Sequence, residues 1–573
     1  AMLRPHGLWF PVDVSTSAQA TIGGMTGNNS CGSRSIAYGN MVHNVLAVDA
    51  MLGTGERYRF GAIDSDSNES VGPEGYRDIV RFLRGIYERE KDEIEARFPK
   101  VLRKVAGYNL DHLGPPHANT AHLLVGSEGT LAWFERVHIK LAPLPKNRVL
   151  AVCHFARFYD AMAAAQHIVK LGPIAVELVD RTMIDLAREN LAFRPVVDRC
   201  IVGEPDAILL VEFAGEEKSA QTQRLDRLSE LMGDLGHPNS VVKLTDDKLQ
   251  KDLWEVRKAG LNIMMSMKGD GKPVSFIEDC AVPLEHLAEY TRRLTEVFHK
   301  HGTRGTWYAH ASVGTLHVRP ILDMRRDGAQ KMRAIAEEAC ALVKEYKGAY
   351  SGEHGDGLVR SEWIAPFFGP RLTPVLGEIK RRLDPKGLMN PGKIVAPSKQ
   401  DDRALFRYKP DYKTIPIRTE LDWSSWGGYD KAVEMCNNNG HCRKFDAGTM
   451  CPSYRVTRDE RHLTRGRANT LRLALSGQIG SAGLASQEVH DALDLCVSCK
   501  GCKRECPTGI DMARMKIEAA SHWRREHALT LRERIIAYLP RYAPTLSAFA
   551  PLANLRDSLP GLPALTERWL GLS

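Results

Sequence analysis

Four of the twelve cysteines stand in one run, Cys496-Val-Ser-Cys499-Lys-Gly-Cys502-Lys-Arg-Glu-Cys506-Pro507, spaced C-x2-C-x2-C-x3-C-P. Two-residue gaps bring three thiolates from one tight loop onto three corners of an iron–sulfur cube, and the last cysteine, ahead of Pro, usually reaches the other cluster of a pair. A zinc site normally stops at paired C-x2-C units, so the spacing points to a 4Fe–4S cluster. An imperfect copy precedes it. Cys436 and Cys442 keep the outer pair, Asn439 stands where the middle cysteine belongs, and Cys451-Pro452 follows after eight residues. Two ligand assignments stay open. If ligands cross over, one cluster takes Cys496, Cys499, Cys502 and Cys451. The other then has Cys436, Cys442 and Cys506, and takes His441 or Asn439 as an unusual ligand, holds three irons, or is absent. Without crossover, one cluster sits on Cys496 to Cys506 and the earlier three cysteines are vestigial. Between the motifs, Arg455, Arg458, Arg461, Arg465, Arg467 and Arg472 read first as a solvated helix face, with cluster-charge compensation or an acidic partner as alternatives.

A second set of groups lies upstream. His310-Ala-Ser-Val-Gly-Thr-Leu-His317 places two imidazoles around Gly314, and a strand–turn–strand layout would turn both rings to one pocket. Ser351-Gly-Glu353-His354-Gly-Asp-Gly357 adds a carboxylate and another imidazole on a Gly loop. Two His and one Glu make a divalent-metal set with open positions, zinc among the candidates. Satisfied structural histidines are the plain alternative. Near the start, Thr21-Ile-Gly23-Gly24-Met-Thr-Gly-Asn28-Asn29-Ser-Cys-Gly32 is glycine-rich without being G-x-G-x-x-G or a Walker loop. Such glycines let backbone amides approach a diphosphate; read alone, a Gly-rich turn accounts for them equally.

These groups need rigid carriers. The alternation over 43–52 ahead of Gly53-Thr-Gly55 reads as a strand and turn, and 208–213 as a second strand. Amphipathic patterns at 76–96, 219–234, 285–301 and 327–346 read as helices, which makes the class α+β. The Pro/Gly-dense stretch 384–397 closes that part, 398–425 reads as a linker, 426–525 carries the cysteines, and 526–573 reads as a helical tail or linker. At 573 residues the chain has room for about three domains. Composition is globular, with 43% hydrophobic and 26% charged residues. A net charge of +8 over this length is too thin to indicate a nucleic-acid binder. No run of 18 apolar residues occurs, so no transmembrane segment is expected. Seven cysteines crowd into 436–506, unlike a disulfide scaffold. The other five (Cys31, Cys153, Cys200, Cys280, Cys340) read as buried apolar thiols in a reducing compartment.

Together with Tyr38-Gly39 and Gly126-Ser127-Glu128-Gly129-Thr130, the Gly23-Gly24 and Asn28-Asn29 motifs resemble the second half of the FAD-binding domain of the vanillyl-alcohol-oxidase / p-cresol-methylhydroxylase type. Residues 1–143 correspond to that half, and the first half has no counterpart. Residues 144–397 are similar to the FAD-linked oxidase C-terminal domain of D-lactate, glycolate and D-2-hydroxyglutarate dehydrogenases. The resemblance implies that His310, His317 and Glu353 are metal ligands and His354 is the base. It further implies that Arg257, in Leu253-Trp-Glu-Val-Arg257, holds the substrate carboxylate. Val313 and Thr315 depart from the family's Asp and Asn. The domain order resembles fused flavin/iron–sulfur dehydrogenases of the D-2-hydroxyglutarate type, cut at both ends. It implies FAD, a 4Fe–4S cluster and a divalent metal. The implied reaction oxidises a D-2-hydroxy acid, with D-lactate or glycolate as runner-up substrates, and delivers electrons to an acceptor protein or quinone. The implied setting is cytoplasmic or peripheral at a membrane, compatible with a homo-oligomer. A non-catalytic electron-transfer or assembly module is the rival of another class.

Overall fold

The computed structural model describes residues 2–17, 20–63, 72–116, 118–190, 193–445 and 448–570. They fall into two compact units, Ala1–Asp411 and Tyr412–Ser573.

In the first unit, a short helix α1 (Ile22–Asn28) occupies the Gly-rich run that reads as a turn in sequence. Thr21 caps it by accepting from the Gly24 amide, so the orphan amides of the first turn, not a loop, carry the glycines. Strands β1 (Val45–Leu52), β2 (Arg57–Phe60) and β3 (Ala132–Ile139) form an antiparallel sheet in the order β2-β1-β3. Helix α2 (Glu74–Arg97) buries Tyr76, Ile79, Val80, Leu83, Ile86, Glu90 and Ile94 at helical spacing, which is why its charged sequence still reads as amphipathic.

A larger sheet follows. Its strands are β4 (Val149–Phe155), β5 (Ala175–Asp180), β6 (Ala207–Phe213), β7 (Val241–Leu244), β8 (Lys272–Pro273), β9 (Gly305–His310) and β10 (Thr315–Leu322). They are antiparallel throughout, in the order β8-β10-β9-β5-β6-β4-β7. Every residue of β6 is buried. Leu209, Val211 and Phe213 join one core with Ala161, Met162 and Leu225, while Ile208 and Leu210 join another with Met183, Ile184 and Leu253. Side-chain alternation along the strand thus feeds helices on both faces. One face is covered by α3 (Phe158–Ile168) and α5 (Lys218–Asp234), the other by α4 (Arg181–Glu189) and α6 (Asp247–Met265). Helices α7 (Leu287–Lys300) and α8 (Gly328–Glu345) match the patterns at 285–301 and 327–346.

The second unit is helical. Helices α9 (Tyr429–Glu434), α10 (Thr464–Leu475), α11 (Gln487–Asp494) and α12 (Met512–Glu526) enclose one core that includes Cys436, Cys442, Cys451 and Cys502. Residues 412–425, read as linker, are pinned to α12: buried Glu518 accepts from the amides of Glu420 and Leu421 and from Trp423 Nε1. Helix α13 (Leu531–Ala548) and three shorter helices make up the tail. Among the described residues no helix is long and apolar enough to cross a membrane.

Candidate functional site

His310 ends β9 and His317 lies on β10, with Tyr308 opposite His317 and Thr315 opposite His310. The turn between them needs Gly314, at φ 67, because a Cβ there would sit 1.9 Å from the Val282 carbonyl oxygen. The rings meet at a centroid distance of 4.7 Å. Their Nε2 atoms both face Glu353, His310 at 3.4 Å from Oε2 and His317 at 2.9 Å from Oε1. Each Nδ1 is held from behind, His310 by Glu177 Oε1 at 2.6 Å and His317 by the Glu278 carbonyl at 3.1 Å. Those outer bonds fix which ring nitrogen is presented, as in second-shell support of a metal ligand.

Burial opposes charge on every member, and the surroundings decide which form wins. Burial raises the Glu353 carboxyl, but His310, Arg103 and His317 together hold it well below the usual carboxylate range. Burial also keeps His317 well below the usual histidine range, and so neutral. A carboxylate and a neutral imidazole are the forms that bind a metal. The ligand atoms of His310, His317 and Glu353 lie within 4.8 Å of one another. The donor set of two imidazole nitrogens and a carboxylate therefore fits a divalent cation with open positions.

His354, its side chain one-third exposed at 34%, is the member that reaches solvent. Its ring stacks on His317 at 5.1 Å, its Nδ1 meets Glu278 Oε1 at 3.1 Å and its Nε2 meets Glu353 Oε1 at 3.2 Å. Burial alone would lower its pKa, but hydrogen bonds to Glu278 and Glu353 push it up to about 10. The neutral ring needed for a base thus requires Glu353 to be engaged elsewhere. Arg257, which the resemblance assigns to the substrate carboxylate, lies on α6. Its guanidinium pairs with Glu177 Oε2 at 2.5 Å and lies 4.7 Å from the Tyr308 ring, leaving Nε without a hydrogen-bond partner among the described residues.

The Gly-rich motifs meet this site. Asn28 Nδ2 donates to the Glu353 carbonyl at 2.9 Å, and Glu128 accepts from the Gly357 amide at 2.9 Å. The 126–130 loop in turn packs on α1, through the Gly126 amide to Thr26 O and the Glu128 amide to Gly27 O. Gly355, at φ 78, is the point of closest approach: a Cβ would meet Glu128 Oε1 at 2.5 Å and Asn28 Oδ1 at 2.7 Å. Asn29, Ser127 and Thr130 are buried, and Tyr38 stacks edge-on against Trp9 beside Gly39 at φ 70. Gly23 and Gly24 are exposed at the start of α1, and Gly129 adds a further open left-handed position at φ 69. Asn29 Nδ2 and Ser127 Oγ are buried without partners among the described residues. Orphaned polar groups on two Gly-rich motifs fit a polar cofactor such as FAD lying across them.

Sequence reading missed Glu177, Arg103, Glu278, Asp279, Arg360 and Cys31. Arg103 is fully buried and donates to Ser35 Oγ at 2.9 Å and to Glu353 Oε2. Cys31, expected as an inert thiol, donates to the same Glu353 oxygen at 3.4 Å. Arg360 bridges Glu278 and Asp279 at 3.1 and 3.2 Å. A signal existed for the carboxylates, since Glu177 and Glu278-Asp279 interrupt apolar runs where an unpaired charge would be costly.

In the second unit, Cys451, Cys496, Cys499 and Cys502 line one hollow, and Cys506 is not among its lining residues. Cys451 Sγ accepts from the Thr464 amide at 3.1 Å and Cys502 Sγ from the Met512 amide at 3.3 Å, bonds that favour thiolates. Thiols in this spacing fit an iron–sulfur cube. Arg467 lines the hollow too, buried, with Nε on Ala492 O at 2.8 Å. That corrects the reading of the Arg series as a solvated face at this position, because a cage of thiolates draws a cation inward.

The fold and the two sites fit a flavin-linked oxidase domain and an iron–sulfur domain. Family models match in the same order: residues 144–394 match the FAD linked oxidases, C-terminal domain, residues 1–61 an FAD binding domain, and residues 432–510 a 4Fe-4S dicluster domain. A D-2-hydroxyglutarate dehydrogenase of Escherichia coli (strain K12) is 30% identical over 627 residues, covering 100% of this chain and 60% of its own length. A D-lactate dehydrogenase of Archaeoglobus fulgidus is 27% identical, covering 68% of this chain and 73% of its own. Substrate-bound p-cresol methylhydroxylase aligns with a TM-score of 0.46 at 13% identity, over 69% of this chain and 73% of its own. The chain thus spans about 60% of the hydroxyglutarate dehydrogenases it matches.

Proposed function

We propose that this chain is the flavin- and cluster-bearing part of a dehydrogenase that oxidises a D-2-hydroxy acid, D-2-hydroxyglutarate favoured, to the 2-oxo acid. The observation that carries it is the buried His310–His317–Glu353 set fastened to the flavin motifs through Asn28 and Glu128. When bound, FAD supplies a two-electron acceptor, a divalent metal polarises the substrate hydroxyl, and a 4Fe–4S cluster carries single electrons onward.

The chain's own residues do the rest. His310, His317 and Glu353 hold the metal, while Glu177 and the Glu278 carbonyl keep both Nε2 atoms turned inward. His354 takes the hydroxyl proton on its solvent-reaching ring, with Nδ1 anchored by Glu278. Arg257, positioned by Glu177, would hold a substrate carboxylate. Gly23, Gly24, Asn28, Asn29, Tyr38, Gly39 and the 126–130 loop form the flavin contact. Cys451, Cys496, Cys499 and Cys502 would hold a 4Fe–4S cluster, which would supply one-electron transfer toward an acceptor protein or quinone.

D-lactate is the second reading, because a D-lactate dehydrogenase is similar over 68% of this chain. The test is anaerobic mixing of the whole protein with D- and L-2-hydroxyglutarate, D- and L-lactate and glycolate, with and without a chelator, following flavin bleaching. D-2-hydroxyglutarate should bleach the flavin fastest, and metal removal should stop it. Bleaching by L-isomers alone overturns the stereochemical class, chelator-independent rates overturn the metal role, and no bleaching by any acid returns the chain to a non-catalytic electron-transfer module.

A further inference from the structure

The loop that begins at Cys496 is repeated in the backbone at Cys436, with one residue changed in kind. Each copy starts just after a short helix: α9 closes at Glu434 before Cys436, and α11 closes at Asp494 before Cys496. In the later copy, Ser498 and Lys500 have φ of 52 and 58 and flank Cys499. In the earlier copy, Asn438 and Gly440 have φ of 64 and 76 and flank Asn439. Left-handed backbone on both sides of one residue is uncommon, so its recurrence at the same place marks the same loop. The third cysteine of each copy, Cys442 and Cys502, is buried in a short helical turn that follows at once, His441–Arg443 and Gly501–Glu505. The middle residue is exposed in both, Cys499 in one and Asn439 in the other. Asn439 therefore holds the place of Cys499 in conformation as well as in count.

The two cages are unequal in sulfur. The first is complete, with Cys451 joining Cys496, Cys499 and Cys502. What remains is Cys436, Cys442 and Cys506, of which Cys436 and Cys442 are buried in the same core and Cys506 packs against it. The Asn439 amide is engaged within its own loop: Nδ2 donates to Asn437 Oδ1 at 2.6 Å, and Oδ1 accepts from the His441 amide at 2.8 Å. It supplies no sulfur and is turned to its neighbours.

We infer that Cys436, Cys442 and Cys506 bind the second cluster of the dicluster domain through three thiolates, and that the iron at the Asn439 corner has no protein sulfur ligand and leaves on oxidation. The step balances: a [4Fe–4S]²⁺ cluster gives up one electron to an added oxidant and one Fe²⁺ to solvent, and a [3Fe–4S]⁺ cluster with all four sulfides remains. An open corner on an exposed loop makes this cluster the one whose iron count and charge respond to oxidant.

The test uses the full chain purified without oxygen, which should hold about eight irons at one per cube corner. Ferricyanide titration should release one ferrous ion per chain to a colorimetric chelator and raise the near-isotropic EPR signal of an oxidised three-iron cluster. Asn439→Cys should abolish both while leaving iron content unchanged. Cys436→Ser should roughly halve the iron and remove the signal. Retention of all iron by the wild-type chain without a three-iron signal overturns the inference, as does an unaltered signal in Asn439→Cys. So does a wild-type chain that binds only about four irons, which would mean the second cage is empty. His441→Ala should leave the titration unchanged; loss of the second cluster there assigns the corner to imidazole instead. None of these readouts involves substrate, so they stand or fall apart from the dehydrogenase reading.

Discussion

Glu177→Gln is the substitution that loads the argument most heavily on one side chain. Glu177 is fully buried, with Oε1 on His310 Nδ1 at 2.6 Å and Oε2 on Arg257 at 2.5 Å. Glutamine keeps the shape but offers only one acceptor. If its NH2 faces Arg257, two donors oppose each other and a buried guanidinium loses its counter-charge. If its NH2 faces His310, Nδ1 must accept, so the ring proton moves to Nε2, the atom turned toward Glu353. Either orientation damages the site. Loss of an outer-shell partner typically costs about 10–100-fold in metal affinity, or about 1.4–2.7 kcal/mol. Breaking a buried ion pair costs about 3–5 kcal/mol of stability when one charge is stranded. The assay is competition of the purified variant against a chelator for Zn²⁺, read by calorimetry beside a thermal melt. Affinity should fall by one to two orders of magnitude in a folded variant. Wild-type affinity in that variant would show that His310 does not depend on the Glu177 carboxylate to present Nε2, and would overturn that role for Glu177.

Other outcomes follow from the same geometry. His317→Ala should eliminate stoichiometric metal binding while leaving flavin absorbance in place, checked by metal analysis and the visible spectrum. The His122 imidazole is lowered from 6.5 to about 4, by burial first and then by His112. As pH falls, the unfolded chain takes that proton first, so the stability it contributes is complete above about pH 6.5 and is lost toward pH 4, by at most about 3 kcal/mol. His122→Gln should flatten that acid limb in a pH series of thermal melts; an unchanged slope would reject the assignment. Leu209→Ala, at a fully buried position of β6, should cost about 2–5 kcal/mol in chemical denaturation without altering the metal stoichiometry.

Much of the architecture is legible in the chain because its periodicities are local. The helix expected over 76–96 is α2, and the strand expected over 208–213 is β6. The hairpin that turns His310 and His317 to one side follows from their spacing around Gly314. The cysteine spacing names its cofactor class for the same reason, since three of the four cysteines that line the hollow come from one loop. What stays hidden is contact across long sequence separation. Arg103 reaches Glu353, Glu177 reaches Arg257, and Glu278 reaches Arg360, and no local pattern pairs them. Residues 412–425 look like a spacer because Glu518, which pins 420–423, is about a hundred positions away. Arg467 reads as surface because charge on a helix usually is; the thiol cage beside it reverses that.

The clasp of Asn28 and Glu128 on residues 353–357 bears on how such proteins can be dismantled and recombined. A cut between residues 143 and 144 looks natural in one dimension, yet it would sever the Glu353 segment from two of its anchors. Grafting this oxidase half onto a foreign nucleotide-binding half would need both of those side chains, and glycine at 355, to travel as a matched set. The seam itself is therefore the unit to transplant, with both of its sides kept together.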